Sequence, residues 1–474
     1  MSTASIATPL LERFAQRSCA WAERWIPDAY VFAVLAVVVV AVAAIATGGS
    51  IGATAGAFGD GFWSLIPFTM QMSFIIIGGY VVASSPPIAR GIDRLAALPR
   101  TGRGAVVWVA AVSMVVSLIH WGLSSILGSL LVRSLARREE LGMDYRAAGA
   151  AAYLGMGSVW AMGLSSSAAQ LQANPASMPP ALLSITGVIP FTQTILLWQS
   201  IVLTVVLIAI SLLVAWLTAP TLTRARTAQQ LGIRDAEPAI EPTQRASRPG
   251  EWLEYSPLLN VVTAALGAIW LARELATKGV VNAIANLNTY NFIFLMLGLL
   301  LCWRPRTFLN AVTRGVPAVS GVLIQFPFYG GIAAILTSVP GAGGQTLAHH
   351  LSTFFAEAAT RESFPAVMGI YSAVLGFFVP SGGGKWIIEA PYVMQAANDL
   401  HVHLGWAVQV YNAAEALPNL INPFWMLPLL GILGLKAREV VGFTIVQFVV
   451  HVPVVLFLLW ALGRTLEYLP PVMP

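Results

Sequence analysis

The residues from Gly382 to Lys385, in the stretch PSGGGKW, are of the types found in loops that bind phosphate. A Walker A loop needs a glycine five positions before its Gly-Lys pair and a serine or threonine directly after that pair. The chain has Val379 and Trp386 at those two positions, and apolar segments flank the glycines on both sides. The spacing therefore argues against a nucleotide-binding loop and favours a polar break inside a membrane.

Four ionisable side chains fall inside apolar segments, where a charge costs at least about 2.5–3.5 kcal/mol: His120, Lys385, Glu389 and Glu415. Lys385 and Glu389 are four residues apart and share one face of a helix. Lys385 either attracts a substrate carboxylate or forms a structural clamp with Glu389. Glu415 is a candidate proton or cation site. His120 either titrates near neutral pH or is a neutral, hydrogen-bonded residue.

Serine, glycine and asparagine residues surround these charges and predict two polar clusters at breaks in helices. The N-termini of half-helices point free N–H groups at an anion, while exposed carbonyl and side-chain oxygens can hold a monovalent cation. The predicted substrate-binding residues are Ser124, Ser125, Ser165, Ser166, Ser381, Gly382, Gly383, Gly384, Lys385 and Asn419. The predicted cation- or proton-coupling residues are His120, Ser167, Glu389, Glu415 and Asn422.

Close packing of helices is the alternative explanation for these small residues, because glycine and serine let membrane helices approach each other. For the serine triplet 165–167 the two explanations stay open. For the glycine triplet a ligand site is favoured, since each consecutive glycine destabilises a helix by about 1 kcal/mol.

The composition of the chain predicts a polytopic membrane protein. Of its 474 residues, 57% are hydrophobic and 10% are charged, against about 25% charged in soluble domains. Apolar runs such as 29–46 and 195–217 approach the roughly 20 residues that cross a bilayer as a helix. Cys19 and Cys302 are too few and too distant to predict a disulfide framework or a metal site. The net charge of +5 suggests no nucleic-acid role, because the arginines lie in short loops.

The distribution of arginine and lysine predicts which loops are cytoplasmic, since basic residues concentrate on that side. The segments 90–103, 133–146 and 221–256 are basic, whereas 48–61 and 171–187 contain no arginine or lysine. The N-terminus is accordingly predicted to be cytoplasmic and the C-terminus periplasmic, in a multi-pass protein of the cell inner membrane.

The segment 105–132 joins two basic loops and must therefore begin and end on the same side. Its 28 residues are too few for two full spans, which need about 40. A re-entrant hairpin with its tip near His120 and Gly122 satisfies both constraints. The segment 364–397 has the same shape, with PSGGG as its tip, and is predicted to enter from the opposite side.

The two halves repeat one order of elements in opposite orientation, which is typical of secondary transporters. The predicted fold is therefore an all-α, inverted-repeat membrane transporter with about nine transmembrane helices, two re-entrant hairpins and two broken helices. The predicted segments are an amphipathic surface segment (1–28), a first repeat (29–218) with a hairpin (105–132) and a broken helix (147–170), a cytoplasmic linker (219–256), and a second repeat (257–474) with a hairpin (364–397) and a broken helix (405–430).

Three motifs carry a family resemblance: FVPSGGGKW followed by APYVMQAA, IHWGLSS, and YNAAEALPNLINPFWMLPLLGI. Together they resemble the bacterial short-chain fatty acid transporter family, typified by the acetoacetate/butyrate permease, over nearly the whole chain. This family resembles a wider superfamily of carboxylate carriers. The resemblance implies paired hairpins, an elevator-type movement and a homodimer.

The predicted function is transport of short monocarboxylates, such as butyrate or acetoacetate, coupled to protons or sodium. No cofactor is predicted apart from that coupling ion. A passive anion channel and a carrier for dicarboxylates are the alternatives. An enzyme is not predicted, because the chain has neither HExxH nor an evident nucleophile–base pair.

Overall fold

Helices make up nearly all the regular structure in the computed structural model of the chain, which describes residues 29–175, 178–221, 224–233, 248–379, 381–422 and 424–473. Across these ranges the β contacts are isolated bridges, Gly187 with Val472 and Pro340 with Thr346. The predicted surface segment 1–28 and residues 234–247 of the predicted linker lie outside the described residues.

The described part of the first half consists mainly of α-helices. They are Ala29–Ala46, Ile51–Ser64, Ile66–Ala83, Pro86–Ala96, Gly102–Ile119, Trp121–Ala136, Tyr145–Leu154, Ser167–Gln172, Pro180–Thr186 and Trp198–Thr218. Most of the segment 48–61, which has no basic residue, belongs to the helix Ile51–Ser64, which the hydroxyl of Ser50 caps. The apolar run 195–217 corresponds to the helix Trp198–Thr218, which follows a 3-10 turn at Phe191–Gln193.

The second half has the same order of elements as the first: an apolar span, an amphipathic helix, a hairpin, a broken helix and a span. Its helices are Glu251–Tyr255, Leu258–Lys278, Val280–Ala285, Leu287–Cys302, Pro305–Gly315, Ser320–Ser338, Leu347–Ala358, Phe364–Phe378, Gly382–Asp399, Leu404–Asn419, Leu427–Leu433 and Ala437–Gly463. Seven helical stretches among the described residues are long and apolar enough to cross a membrane. The predicted all-α polytopic fold is confirmed.

The first hairpin (102–136) consists of two helices that pack against each other and are separated by one extended residue, His120. The imidazole of His120 caps the second arm, because its Nδ1 accepts the backbone N–H of Leu123 at 3.1 Å. At the other end, the guanidinium of Arg138 donates to the carbonyls of Ala96 and Pro99, both at 2.9 Å. These two bonds hold the start and the end of the hairpin together on one face of the protein.

The second hairpin (364–399) breaks just before the glycine triplet. Ser381 has an extended backbone and caps the second arm by accepting the N–H of Gly384 at 3.2 Å. The glycines therefore form the first helical turn of that arm and not the loop itself, which differs from the predicted tip. The C-terminal segment contacts both ends of this hairpin: Arg361 donates to the Leu466 carbonyl, and Tyr468 donates to Asn398.

Both broken helices are interrupted where residues unsuited to a regular helix occur. The first runs from Tyr145 to Leu154, continues through a π turn (155–159) and a 3-10 turn (160–162), and resumes at Ser167. Gly163 in its break adopts extended backbone against the carbonyl of Leu118. The second broken helix ends at Asn419, directly after Pro418, which lacks the N–H that a helix interior requires.

Several loops contact one another through hydrogen bonds. The basic segments meet one another, as Arg103 donates to the Ala219 carbonyl and Asp144 accepts the N–H of Arg226. Elsewhere, the N–H of Ala342 bonds to the Thr47 carbonyl. The ends of the first hairpin thus lie beside other basic segments.

Cysteine labelling tests this arrangement in a variant that lacks both native cysteines. Arg100→Cys and Glu140→Cys should react with a membrane-impermeant maleimide from the same side, because the ends of the first hairpin touch. Gly343→Cys, in an exposed loop, should react from the opposite side. Labelling of positions 100 and 140 from different sides would contradict the hairpin.

Candidate substrate and ion site

The first broken helix contacts the tips of both hairpins. The hydroxyl of Ser165 accepts the backbone N–H of Trp121, at the tip of the first hairpin, at 2.7 Å. Three residues before the non-helical segment 163–166, the indole of Trp160 fills the space over Gly382, at the tip of the second hairpin. The non-helical segment 163–166 therefore lies between the two tips.

The second broken helix also contacts both tips. The phenol of Tyr411 donates to the Gly382 carbonyl at 2.5 Å, and the Asn422 amide donates to the Phe377 carbonyl at 3.5 Å. Beyond the break, the ring centroid of Trp425 lies 5.4 Å from that of Trp121. The two tips and the two breaks thus come together in one buried region, as two opposed hairpins would require.

Aromatic rings enclose the glycine triplet. A Cβ atom on Gly383 would lie 2.6 Å from Cζ of Phe68, and one on Gly384 would overlap the ring of Tyr329. Since all three glycines are buried, no larger residue fits in this arrangement. The glycines allow the tip of the second hairpin to approach the rings of the first half and of the span Ser320–Ser338.

Lys385 is the centre of a fully buried ionic cluster. Its Nζ lies 2.7 Å from Oε2 of Glu415 and 3.6 Å from Oε2 of Glu389, and all three side chains are 0% exposed. The ammonium also donates to the carbonyl and to the hydroxyl of Ser372, both at 2.7 Å. The hydroxyl of Ser372 in turn donates to Glu389 at 3.1 Å. The hairpin arms and the second broken helix are joined through this lysine.

Several polar atoms beside the cluster lack hydrogen-bond partners among the described residues. They include Oε1 of Glu389, Oε1 of Glu415, and both amide atoms of Asn419, one helical turn beyond Glu415. Leaving a buried polar group unsatisfied costs about 1–3 kcal/mol, so native proteins seldom retain such groups without a reason. The face that carries Glu415 and Asn419 is therefore a candidate for binding a ligand or an ion.

The comparisons with known proteins agree on one family. The family described as "Short chain fatty acid transporter" matches residues 10–462. The chain belongs to this family. A relative from Escherichia coli K12, named as a short-chain fatty acid transporter, is 32% identical over 92% of this chain and 95% of its own length. A relative of the same name from Haemophilus influenzae is 29% identical over 94% of this chain and 98% of its own length. This family member is thus a multi-pass membrane transporter and not an enzyme.

Two solved transporters share the fold. The YdaH transporter of Alcanivorax borkumensis, described as having an unusual topology, gives a TM-score of 0.59 at 15% identity, over 92% of this chain and 98% of its own. MtrF of Neisseria gonorrhoeae, described within a class of antimetabolite efflux pumps, gives a TM-score of 0.54 at 14% identity. This match covers 97% of this chain and 100% of MtrF. At such identities the likeness concerns the fold alone.

The predicted site residues of this transporter separate into three environments. Lys385, Glu389, Glu415 and Asn419 come together at the ionic cluster and the polar face beside it. Ser165, Ser166, Ser167, Ser381, Gly382, Gly383, Gly384 and Asn422 lie at or beside the two breaks and the second tip. Ser124, Ser125 and His120 lie in the first hairpin.

The serines of the first hairpin bond within that hairpin. Ser124 donates to the Ser113 carbonyl at 2.7 Å, and Ser125 donates to the Trp121 carbonyl at 3.3 Å. These bonds correspond to the packing alternative. Ser166 behaves differently, because it caps the helix Ser167–Gln172 and donates to Oδ1 of Asn412 in the other half at 3.0 Å.

His120 packs against the rings of Tyr290 and Phe294, whose centroids lie 5.6 and 4.1 Å from that of the imidazole. Because its Nδ1 accepts a backbone N–H, that nitrogen carries no proton. This geometry favours the neutral, hydrogen-bonded alternative for His120.

Ser372, Tyr411 and Asn412 contribute to the site and were not predicted from the sequence. The ring of Tyr411 lies under the ammonium of Lys385, with 4.6 Å between Nζ and the ring centroid. A signal for Tyr411 exists in the sequence, because Tyr411, Glu415 and Asn419 recur every four residues and must share one helical face. Ser372 has no comparable signal, since it lies alone in an apolar arm.

Gly383→Leu should abolish transport while the protein remains in the membrane. The added side chain would overlap Phe68, so the second tip could not approach the first half. Initial uptake rates and the amount of membrane-inserted protein together test this expectation. Gly343→Leu, in open space on the surface, is the matched control. Full uptake by Gly383→Leu would exclude the tip from the transport path.

Ser165→Ala should lower the melting temperature of the detergent-purified protein. It removes the acceptor of the Trp121 N–H and leaves that buried donor unsatisfied, at a cost of about 1–3 kcal/mol. Ser184→Ala, at an exposed serine that bonds only within its own turn, should leave the melting temperature unchanged. Equal melting temperatures for both variants would contradict the importance of the Ser165 contact.

Proposed function

We propose that this transporter carries short-chain monocarboxylates, of the size of butyrate and acetoacetate, across the cell inner membrane by secondary active transport. The observation that supports the proposal is the buried polar face of Glu415 and Asn419 beside the second hairpin tip. This face combines an unpartnered amide donor with an ionisable carboxyl group. Family membership supports the class of substrate.

The arrangement suggests why an anion and a cation would travel together. The amide of Asn419 can donate to a substrate carboxylate, but Glu415 lies one helical turn away on the same face. Two carboxylates so close repel each other in a medium of low dielectric constant. A proton or a sodium ion at the acidic cluster removes that repulsion, so substrate binding and cation binding favour each other.

Lys385 supports this coupling from behind the site. Its ammonium already has the Ser372 carbonyl, the Ser372 hydroxyl and Glu415 within 2.7 Å, and an ammonium group has three donors. We therefore assign Lys385 to holding the acidic residues in place and not to direct contact with the substrate.

Alternating access would follow from movement of the hairpins and broken helices as one unit, in an elevator-type mechanism. These elements are joined by the tip contacts and, in the second half, by the ion pairs. In the span Leu258–Lys278, by contrast, only 17% of an 18-residue apolar window is buried within one chain. Such exposed apolar spans suit a static scaffold that faces lipid or a second subunit. A homodimer with a cytoplasmic N-terminus and a periplasmic C-terminus is part of the proposal.

The alternatives are less well supported by the site. A passive anion channel needs a row of cationic groups along its path, and Lys385 is the only buried lysine or arginine among the described residues. A dicarboxylate carrier needs a further cation for the second carboxylate, yet both Glu389 and Glu415 already surround Lys385. The free amide group of Asn419 can bind the single carboxylate of a monocarboxylate.

Uptake into proteoliposomes tests the proposal. A panel of labelled C2 to C6 monocarboxylates and a C4 dicarboxylate is offered while sodium and pH gradients are varied independently. We expect accumulation of a monocarboxylate against its own gradient, driven by one of the two cations. Flux that never exceeds equilibration would support a channel, and the absence of flux for every acid would contradict the proposal.

A further inference from the structure

The ammonium nitrogen of Lys385 has the surroundings of a bound cation. Four oxygen atoms face it: the carbonyl and hydroxyl of Ser372 and one oxygen of Glu415, each at 2.7 Å, and one oxygen of Glu389 at 3.6 Å. Hard monovalent ions in transporters of this kind are held by carbonyl, hydroxyl and carboxylate oxygens. The three residues that supply these oxygens lie on the two arms of the second hairpin and on the second broken helix.

Protein atoms cover two further sides of this nitrogen. A Cβ atom on Gly376 would lie 3.1 Å from Oε2 of Glu415 and 3.6 Å from Nζ of Lys385. The ring of Tyr411 covers another side of the ammonium. A sodium ion that shared these oxygens would stand beside the ammonium, where two like charges repel strongly.

The charged groups at this point do not cancel. Two carboxylates and one ammonium are fully buried. The buried phenols around them all form hydrogen bonds elsewhere: Tyr371 and Tyr392 bond to each other, and the others donate to Gly382 (Tyr411), Asn419 (Tyr153) and Gln325 (Tyr329). The formal sum is therefore one negative charge. A proton neutralises such a charge without requiring the coordination sphere that sodium needs.

We propose that the ammonium group of Lys385 is a tethered cation that occupies the place of a coupling sodium ion, so that this transporter is sodium-independent. The inference rests on the proposed transport of carboxylates and specifies its coupling. The remaining negative charge of the cluster is matched by a proton that enters with the substrate. Lys385 is thereby the residue that determines ion specificity.

The unaltered protein provides the first test. Uptake of labelled butyrate is measured at a fixed pH gradient with sodium chloride or with choline chloride on both sides. Because energetic coupling between sites starts near fivefold, a change of less than about twofold counts as sodium independence. A protonophore should abolish accumulation. Uptake that requires sodium would overturn the inference.

Removal of the ammonium provides the second test. Lys385→Met leaves the four oxygens without a cation, so sodium should now raise the melting temperature of the purified variant in a concentration-dependent way, whereas choline should not. The double variant Lys385→Met/Glu389→Gln restores the formal charge of the cluster to one negative charge. Because it buries one carboxylate less than the single variant, we expect it to fold more readily. It should show the same response to sodium.

Lys278→Met is the matched control. Lys278 also pairs with a glutamate four residues away, Glu274, but its side chain is 48% exposed. This variant should respond to sodium no more than the unaltered protein does. If the Lys385 variants fold and gain no response to sodium, the ammonium does not fill a cation site and the inference is wrong.

The two proposals can fail separately. Absence of uptake for every acid under every gradient contradicts carboxylate transport but leaves the melting experiment to decide the role of Lys385. Uptake that depends on sodium in the unaltered protein confirms a carrier and rejects the tethered cation.

Discussion

The structure depends on satisfying polar groups that lie deep in an apolar bundle. A helix interrupted inside a membrane exposes N–H and C=O groups that lipid cannot bond. At the first tip, Ser165 accepts the N–H of Trp121, and Tyr290 donates to the carbonyl of Ile119. At the second tip, Tyr411 donates to the carbonyl of Gly382. Each break is thus supported by a side chain from another element, and this requirement draws the hairpins and broken helices into one region.

The ionic cluster follows from the same constraint applied to full charges. Replacing a buried ion pair with apolar residues is often neutral or stabilising, so Lys385, Glu389 and Glu415 are poorly explained by stability alone. Beside them, atoms of Glu389, Glu415 and Asn419 lack partners. Polar groups that bind a substrate or an ion during one part of the transport cycle have no partner during the other part. The unsatisfied atoms and the ion pairs are therefore consistent with one functional site.

The solved transporters of similar fold illustrate how scaffold and site differ. The matches extend over almost the whole chain at identities of 14–15%, so the fold is shared while most side chains differ. Function depends on the site placed on a fold. For this chain, the proposed site is the environment of Lys385 and the face of Glu415 and Asn419, which the fold alone would not predict.

Much of the architecture follows from the sequence, because hydrophobic length and arginine position act locally. The 28 residues of 105–132 between two basic loops are enough to predict a hairpin, and Pro418 and Gly163 mark breaks. The partners of each polar group required the tertiary structure. Lys385 and Glu389 share a helical turn, but Ser372 and Glu415 reach the ammonium from other helices. Their distances depend on how the helices pack, and neither spacing nor composition encodes that information in a single sequence.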